Sequence, residues 1–296
     1  MFPSNLDLNI YKTHDDLTHF DNESLKQHYD KTGKNEGRIC GEIFDRASLI
    51  KNININYIHC LEIGPFDCPV LKGETVKYFD VLDQEQLKKR SQELNRPFPI
   101  ENVPFINYVD SKGDLKNINE KFDVILSCHS IEHQLDFIQH LQDVSTLLND
   151  NGYYVIILPD KRYCFDHFIK ESTVADIITQ NINKSNIHSA KSVIEHIALT
   201  CHNDAGRHWN NDHGNQTYVS NTDSIIDAIN QYKNSVSNNQ YFDVHSLQFT
   251  PDSFENIINL LNQLDYIDLV IDNVYNTVKN SCEFYVILKK KKIIVE

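Results

Sequence analysis

Short apolar runs alternate with helical patterns through the first half of the chain. Continuous apolar runs are typical of buried strands, and apolar positions that recur every three or four residues indicate amphipathic helices. The pattern predicts strands at 57–63, 76–81, 103–109, 122–128 and 153–158, and helices at 84–94 and 135–148. This alternation is typical of βαβ units, so we expect a parallel, doubly wound α/β sheet.

The strand pattern stops after Leu158 and does not return until Phe249. Three helical patterns replace it, near 172–182, 189–200 and 222–232, and each begins with a Ser or Thr that could cap it. A connection of roughly ninety residues is far longer than a normal link between a strand and a helix. We therefore predict an inserted helical substrate-binding lid over residues 161–249.

The sheet pattern resumes with a helix at 251–264, which has proline in its first turn, and strands at 266–271 and 283–289. The main domain is thus expected to comprise residues 51–160 and 250–296. Residues 1–50 are polar, with one helical pattern at 24–31, and we interpret them as a small, partly helical N-terminal appendage.

Composition and charge narrow the class of protein. The chain has 296 residues, 40% of them hydrophobic, which is enough for a substantial core. A net charge of −14 argues against a nucleic-acid partner, because phosphate binding depends on Lys and Arg. The lysine run 289–292 fits a solvated strand end better than a binding patch.

Seven cysteines without a C-x-x-C pair indicate reduced thiols, and no stretch has the pattern of a signal peptide or a membrane span. We expect the protein to be cytoplasmic, and the sequence is compatible with a homo-oligomer.

Polar residues follow two of the predicted strands. The first strand ends in Glu62, Gly64 and Pro65, and the run FDVILSCHSIEH ends in polar side chains at 128–133. A glycine after a strand lets the chain turn and lets a ligand approach the backbone closely. In open α/β sheets, ligands bind at the carboxyl ends of the strands, so we expect both segments to border a nucleotide-like ligand.

Several of these runs resemble the class I S-adenosylmethionine-dependent methyltransferases: LEIGP, YFDVLD, FDVILSCHSIEH, NGYYVIILPD and EFYVILKK. The likeness covers about residues 55–160 and the last forty. The runs LPDKRYCFDHF, HNDAGRHW and FTPDSF resemble a branch of methyltransferase-domain proteins found beside polysaccharide-building enzymes. The resemblance implies a Rossmann-like sheet of seven strands with the last one antiparallel, and S-adenosyl-L-methionine as cofactor.

The resemblance also implies cofactor-binding residues, namely Glu62, Gly64, Pro65, Asp80, Asp110, Cys128 and His129. Glu62 and Gly64 would line the methionine part. Asp80 would accept hydrogen bonds from both ribose hydroxyls, as a carboxylate can. Asp110 is the weaker candidate, for the adenine edge. The single glycine and the short link from Gly64 to Val76 depart from the family pattern and predict a tight, partly non-helical first crossover.

The residues that could bind or deprotonate the methyl acceptor follow the fourth and fifth strands, and further candidates lie in the predicted insertion. The candidate catalytic bases are His133, Asp160 and His167. The candidate substrate-binding residues are Arg162, Asp166, His202, Asp204, His208 and Trp209. An ordinary polar loop at the end of a strand, without a role in catalysis or binding, would have the same residue pattern. Trp209 could stack on a sugar ring or simply hold the lid on the domain.

A metal site between His202 and His213 is also conceivable, because imidazole and carboxylate groups are good ligands. The spacing matches no known metal motif, so a hydrogen-bonded loop is favoured there and no metal is predicted.

The function expected from the sequence is transfer of a methyl group to an oxygen of a sugar or sugar nucleotide in glycan biosynthesis. One alternative is a catalytically silent scaffold that keeps the fold and binds a glycosyltransferase partner. Another is methylation of a nitrogen on a small metabolite or protein. Keeping both Gly64 and Asp80 argues for an active enzyme, since a silent relative would need neither.

Overall fold

One sheet of seven strands forms the centre of the protein in the computed structural model, which describes residues 2–53, 55–56, 58–215, 222–238 and 241–291. The strands are β1 Cys60–Ile63, β2 Val76–Asp80, β3 Tyr108–Val109, β4 Phe122–Cys128, β5 Leu148–Pro159, β6 Leu269–Tyr275 and β7 Glu283–Lys290. Their order is β3-β2-β1-β4-β5-β7-β6, and β7 alone runs antiparallel to its neighbours. This confirms the predicted Rossmann-like sheet with an antiparallel last strand.

The strand order reverses between β1 and β4, which lie side by side although β2 and β3 come between them in the chain. Such a reversal leaves a crevice outside the carboxyl ends of the strands, where open α/β sheets bind their ligands. The segments after β1, β2, β4 and β5 therefore decide what the protein can bind.

Ten α-helices surround the sheet or belong to its appendages in the described part of the chain. They are α1 Leu8–Tyr11, α2 Asn22–His28, α3 Arg46–Lys51, α4 Gln84–Glu93, α5 Phe137–Leu147, α6 Val174–Asn183, α7 Ala190–Leu199, α8 Ala205–Trp209, α9 Thr222–Asn238 and α10 Pro251–Gln263. A π-helical turn at Tyr29–Gly33 extends α2. Within the described residues, no helix has the length and apolar character needed to cross a membrane.

Both faces of the sheet are buried, which explains why the strands appear as continuous apolar runs in the sequence. On one face Leu61 and Ile125 pack with α5 and α10, and Phe137 and Phe254 are fully buried there. On the other face Cys60, Leu126 and Tyr285 pack against Phe2 and Leu49. Truncating a buried phenylalanine such as Phe254 to alanine would cost about 3–5 kcal/mol.

Several predicted boundaries were wrong, and edge position explains the largest error. The predicted strand 103–109 is reduced to Tyr108–Val109, because Val103 and Ile106 instead pack against Leu87 of α4. The last strands also shift, since β6 begins at Leu269 and continues to Tyr275. The segment predicted as a loop contains α8, whose first turn is capped by Asp204. The predicted start of the first strand at Tyr57 and the last lysine of the basic run lie outside the described residues.

The first crossover is non-helical, as predicted. Residues 64–75 contain no helix. Both carboxylate oxygens of Glu62 accept hydrogen bonds from backbone N–H groups of this loop: Oε1 from Val70 N at 2.8 Å and Oε2 from Leu71 N at 2.8 Å. The fully buried Asp67 ties the loop to α4 by accepting from Ser91 at 2.8 Å. Side-chain carboxylates thus satisfy the backbone donors that a helix would have satisfied itself.

The insertion is joined closely to the sheet domain. Ile177 of α6 belongs to the main hydrophobic core, and Asn181 donates to Asp136 at the start of α5. Helices α7 and α9 pack on each other. At the other end of the chain, the N-terminal segment packs on β6, where Asn5 donates to the Val274 carbonyl at 3.1 Å. The predicted division into domains stays a prediction.

Candidate active site

Gly64 forms the turn at the carboxyl end of β1. Its φ of 70° lies in the left-handed region that favours glycine, and its N–H donates to the Phe79 carbonyl of β2 at 2.9 Å. A side chain added there would contact Ser130, which follows β4. The glycine therefore lies in the crevice between the ends of β1 and β4, as expected for a residue that a ligand approaches.

Asp80 ends β2 next to this turn, because Ile63 of β1 pairs with Phe79. Only 7% of the residue is exposed, and its Oδ1 accepts the Leu82 N–H at 3.1 Å. Burial raises the pKa of Asp80 to about 6, although the neighbouring backbone N–H groups act to lower it. A buried carboxylate in this position gains stability from any hydroxyl donors that a ligand brings.

Glu62 and Asp110 use their carboxylates to hold local backbone. Burial raises the pKa of Glu62 to about 7, although the hydrogen bonds that it accepts from the Val70 and Leu71 N–H groups act to lower it. Asp110 accepts from the N–H groups of Lys112 and Asp114, which hold its pKa below the ordinary value. A direct cofactor contact of either carboxylate stays a prediction.

The three other predicted cofactor residues also lie at the ends of β1 and β4. Pro65 is buried, and its carbonyl accepts the Cys68 N–H at 3.2 Å. Cys128 is the last residue of β4, and burial raises the pKa of its thiol well above the usual range. His129 follows with a φ of 48°, and its Nε2 lies 2.7 Å from Glu283 Oε1.

Glu132 lies at the centre of a buried polar group just beyond β4. It is 1% exposed, and neither of its carboxylate oxygens has a hydrogen-bond partner among the residues that the structure describes. Its Oε1 lies 3.7 Å from His129 Nδ1, 3.9 Å from His133 Nε2 and 3.8 Å from His245 Nε2. We call Glu132 and these three histidines the Glu132 cluster.

Each histidine of the Glu132 cluster has a carboxylate at its other ring nitrogen. The pairs are His129 Nε2 with Glu283 at 2.7 Å, His133 Nδ1 with Asp243 at 3.0 Å and His245 Nδ1 with Asp166 at 2.6 Å. A hydrogen-bonded carboxylate, as at His129 and His245, fixes the orientation of the imidazole and selects which nitrogen carries the proton. His133 has Asp243 at ion-pair distance but makes no hydrogen bond to it among the described residues. All three rings therefore present their remaining nitrogen to Glu132.

The residues in and around the Glu132 cluster have different charged neighbours. Burial acts to lower the pKa of His133, but Asp243 and Glu132 outweigh it and raise the pKa above the ordinary value. Arg90 pairs with Asp243 at 2.8 Å, and Arg46 of α3 pairs with Glu283. The N-terminal segment thus reaches the site through Arg46, whereas Glu132 has no Lys or Arg within ion-pair distance among the described residues, only the three histidines.

Further buried polar atoms without partners lie around the same cluster. Within the described part of the chain they include His133 Nδ1, Asp166 Oδ1, both ring nitrogens of His188, and His196 Nδ1. Burial lowers the pKa of His188 to about 4, and His133 lowers it further. Buried polar groups in proteins almost always have hydrogen-bond partners, so a concentration of unpaired ones indicates a place that binds a ligand, an ion or water.

Asp160 and Arg162 form an ion pair. Asp160 is fully buried and accepts from Arg162 Nη2 at 2.6 Å, from Arg162 Nε at 2.9 Å and from the Thr277 hydroxyl at 2.6 Å. The Asp160 carboxylate thus accepts hydrogen bonds from a charged guanidinium and from a neutral hydroxyl. Its predicted role as a base and the predicted contact of Arg162 with substrate stay predictions.

The histidines of the insertion form a second group around α8. His167 stacks on His213 with ring centroids 3.7 Å apart, and His208 Nδ1 lies 3.0 Å from His213 Nδ1. His202 accepts the Nε2–H of His208 at its carbonyl. Trp209 stacks on Tyr163 at 3.9 Å. The predicted substrate residues of the loop therefore lie together, but their contact with a substrate stays a prediction.

A cavity of about 690 Å³ lies beside Trp209 and the loop that follows β6. It is lined mainly by the N-terminal segment, including Gly37 and Arg38, and by Lys279.

The sequence did not reveal every member of the Glu132 cluster. Glu132 stands in the run SIEH, but a glutamate at the start of a helical turn also fits a capping role. His245 and Asp243 lie more than one hundred residues later, in a segment without a motif. They join Glu132 only because the last part of the predicted insertion, after α9, runs back along the end of β4.

Comparisons with known proteins give structural neighbours alone. No family model matches the sequence, and no curated protein matches it. The CcbJ methyltransferase from Streptomyces caelestis aligns over 83% of this chain and 94% of its own, with 11% identity and a TM-score of 0.41.

Two further solved structures are similar at the same level. The mitomycin 7-O-methyltransferase MmcR aligns over 93% of this chain and 60% of its own, with 9% identity and a TM-score of 0.40. An S-adenosylmethionine-dependent methyltransferase from Clostridium acetobutylicum ATCC 824 aligns over 91% and 99%, with 11% identity and a TM-score of 0.38. At these values we draw nothing about reaction or substrate from the neighbours.

Proposed function

We propose that this protein is an S-adenosylmethionine-dependent methyltransferase. The observation that carries the proposal is the pair formed by Gly64, with its φ of 70°, and the buried Asp80 at the ends of two adjacent parallel strands. The turn leaves room for the methionine part of the cofactor, and the carboxylate accepts the ribose hydroxyls. The reversal of strand order beside β1 supports the same position.

The proposed reaction is an in-line displacement. The oxygen of the acceptor hydroxyl forms a bond to the methyl carbon, the carbon–sulfur electron pair returns to sulfur, and S-adenosylhomocysteine leaves. The hydroxyl proton passes to a carboxylate or imidazole of the Glu132 cluster. Orientation supplies most of the rate in such a reaction, and the base contributes about 10²–10⁴-fold.

The Glu132 cluster is our preferred site for proton removal among the candidates from the sequence. His133 belongs to it, and the unpaired oxygens of Glu132 are available as acceptors. Asp160 already accepts several hydrogen bonds, including two from the Arg162 guanidinium. His167 Nδ1 is engaged with the Arg162 carbonyl at 2.8 Å, and its ring stacks within the second histidine group.

A sugar or sugar nucleotide in glycan biosynthesis is the acceptor that we propose. Sugar hydroxyls donate and accept hydrogen bonds, and the unpaired groups around Glu132 include acceptors and imidazole nitrogens that suit them. The resemblance of LPDKRYCFDHF and FTPDSF to proteins found beside polysaccharide-building enzymes supports the same class.

A non-catalytic scaffold has one observation in its favour. The loop after β1 contains no helix, so it lacks a helix N-terminus that could bind an anionic part of a ligand. A scaffold would retain the fold without binding the cofactor, which the measurements below distinguish.

Methyl transfer can be tested directly with labelled S-adenosylmethionine. The full chain is incubated with a panel of sugar nucleotides, free sugars, amines and peptides, and label is followed into each acceptor. Label in the sugar nucleotides or sugars supports the proposal. Label only in amines or peptides would replace oxygen by nitrogen as the acceptor, and cofactor binding without transfer to any class would favour the scaffold.

A further inference from the structure

We propose that Glu132, His133 and His245 form a binding site for a divalent transition-metal ion. Glu132 Oε1, His133 Nε2 and His245 Nε2 lie within 4.8 Å of one another, and Glu132 and His245 are buried. Two histidines and one carboxylate on one side of an ion leave its other positions open for substrate or water.

The distances suit an ion after a small contraction. Glu132 Oε1 lies 3.9 Å from His133 Nε2 and 3.8 Å from His245 Nε2. Ligand atoms around a tetrahedral ion with bonds of about 2.0 Å lie about 3.3 Å apart. Small rotations of these side chains would bring the three atoms to such separations.

The surroundings of the two histidines provide the second argument. His245 Nδ1 lies 2.6 Å from Asp166, and His133 Nδ1 lies 3.0 Å from Asp243. Histidines that bind metals usually donate their other N–H to a carboxylate or carbonyl, which fixes the ring and makes the ligating nitrogen more basic. His245 has this hydrogen-bonded partner, whereas His133 Nδ1 lies at ion-pair distance from Asp243 without a hydrogen bond among the described residues.

The unpaired carboxylate of Glu132 provides the third argument. A buried carboxylate without hydrogen bonds or a cation is strongly unfavourable. Both oxygens of Glu132 lack hydrogen-bond partners within the described ranges, although the residue is only 1% exposed. A bound cation would compensate this charge and give the oxygen atoms a partner.

Two other groups of side chains could hold an ion but fit less well. His167, His208 and His213 lie close together, but the rings of His167 and His213 are parallel and stacked, with planes inclined by only 9°. A ligating lone pair lies in its ring plane, so one ion cannot lie in both of two stacked planes. In the group Cys128, His129 and Glu283, the glutamate is already paired with Arg46.

The ligand set also indicates the class of ion. Imidazole favours iron, cobalt and zinc over magnesium and calcium, which prefer oxygen ligands, and manganese accepts a mixed set. In the reaction proposed above, on which this role rests, the ion would hold the acceptor oxygen and stabilise its deprotonated form. The second carboxylate oxygen of Glu132 would remain to take the proton.

Metal binding can be tested without the cofactor. The full chain, freed of metal with a chelator, is titrated with Co²⁺ by absorption spectroscopy and with Zn²⁺ by calorimetry. The same titrations are made on Glu132→Gln, His245→Gln, Asp166→Asn and, as a matched control in the second histidine group, His213→Gln. Circular dichroism and thermal unfolding establish that each variant is folded.

We expect one high-affinity equivalent in the wild-type protein and in His213→Gln. Affinity should fall at least 100-fold in Glu132→Gln and His245→Gln, and by about 10–100-fold in Asp166→Asn, which alters only a supporting carboxylate. No binding by the wild-type protein, or loss of the site in His213→Gln but not in the folded Glu132 and His245 variants, would overturn the proposal. Because these titrations contain no cofactor, their failure leaves the methyltransferase proposal standing or falling on its own measurement.

Discussion

Glu132 Oε1 lies 3.8 Å from His245 Nε2, although Glu132 follows the fourth strand and His245 lies in the last part of the predicted insertion, after α9. The backbone creates this proximity, because the N–H groups of Ser246 and Leu247 both donate to the Glu132 carbonyl, at 2.9 and 3.1 Å. The segment that leaves the insertion thus completes a buried polar cluster that the sheet alone does not contain.

Replacing the histidines of this cluster should impair chemistry more than cofactor binding. We expect His133→Ala and His245→Ala to lower kcat by about 10²–10⁴-fold, because the acceptor loses help with its proton. The dissociation constant for S-adenosylhomocysteine should stay within about twofold. Turnover and calorimetry measure the two effects, and His59→Gln, an exposed histidine before β1, is the control. Wild-type kcat in both variants would contradict the assignment.

Asp160→Asn should lower stability markedly. The amide is uncharged and loses the charge attraction to the Arg162 guanidinium. Breaking a fully buried pair costs about 3–5 kcal/mol, and because 33% of the Arg162 side chain is exposed we expect a loss below that range. Urea unfolding measures the loss. Asp16→Asn is the matched control, because Asp16 also pairs with an arginine but its side chain is 59% exposed, and such surface pairs contribute little to stability. Equal stability of Asp160→Asn and the wild-type protein would show that this pair does not support the fold.

His140 should make the protein less stable in mild acid. It is buried against the Tyr154 hydroxyl at 2.9 Å, and burial lowers its pKa to about 4. Its unfolded pKa is near 6.5, so between about pH 6.5 and 4 the unfolded chain binds a proton that the folded chain does not. The free energy of unfolding should therefore decrease as the pH is lowered from about 6.5 to 4.

The variant His140→Gln, which can still accept a hydrogen bond, isolates that contribution. Its free energy of unfolding should fall less between pH 6.5 and 4 than that of the wild-type protein, by an amount on the order of a few kcal/mol. Parallel pH dependences in urea titrations would mean that His140 titrates normally in the folded protein.

The sequence predicted the sheet well because its evidence is local. Buried strands such as Phe122–Cys128 require continuous apolar residues, and that requirement is visible in the sequence itself. The short edge strand Tyr108–Val109 was mispredicted because apolar residues before it pack on α4, and an apolar residue does not reveal which element it packs against.

The candidate site was predictable only in part, for the same reason. Gly64 and Asp80 stand at strand ends that periodicity locates. The Glu132 cluster instead depends on a segment that returns from an insertion, and no local pattern predicts where such a segment lies. Asp160 shows the reverse case: its position after a strand suggested chemistry, whereas its contact with Arg162 depends on the fold of the following turn.

Binding of S-adenosylhomocysteine should depend on pH through Asp80. Its pKa is raised to about 6 by burial, and hydroxyl donors favour the ionised carboxylate. Affinity should rise as pH increases through about 6, so that binding at pH 5 is about tenfold weaker than at pH 7.5. In Asp80→Asn this dependence should disappear. A wild-type affinity that is constant over this range would show that the Asp80 carboxylate does not bind the ribose.

The central claim is that the crevice beside Gly64 and Asp80 binds S-adenosylmethionine, and calorimetric titration of the full chain with S-adenosylhomocysteine tests it most directly. We predict one binding site in the wild-type protein at pH 7.5 and at least severalfold weaker binding in Asp80→Asn, which loses charge-assisted hydrogen bonds to the ribose hydroxyls. Absence of binding by the folded wild-type protein, or equal binding by the folded variant, would contradict the account.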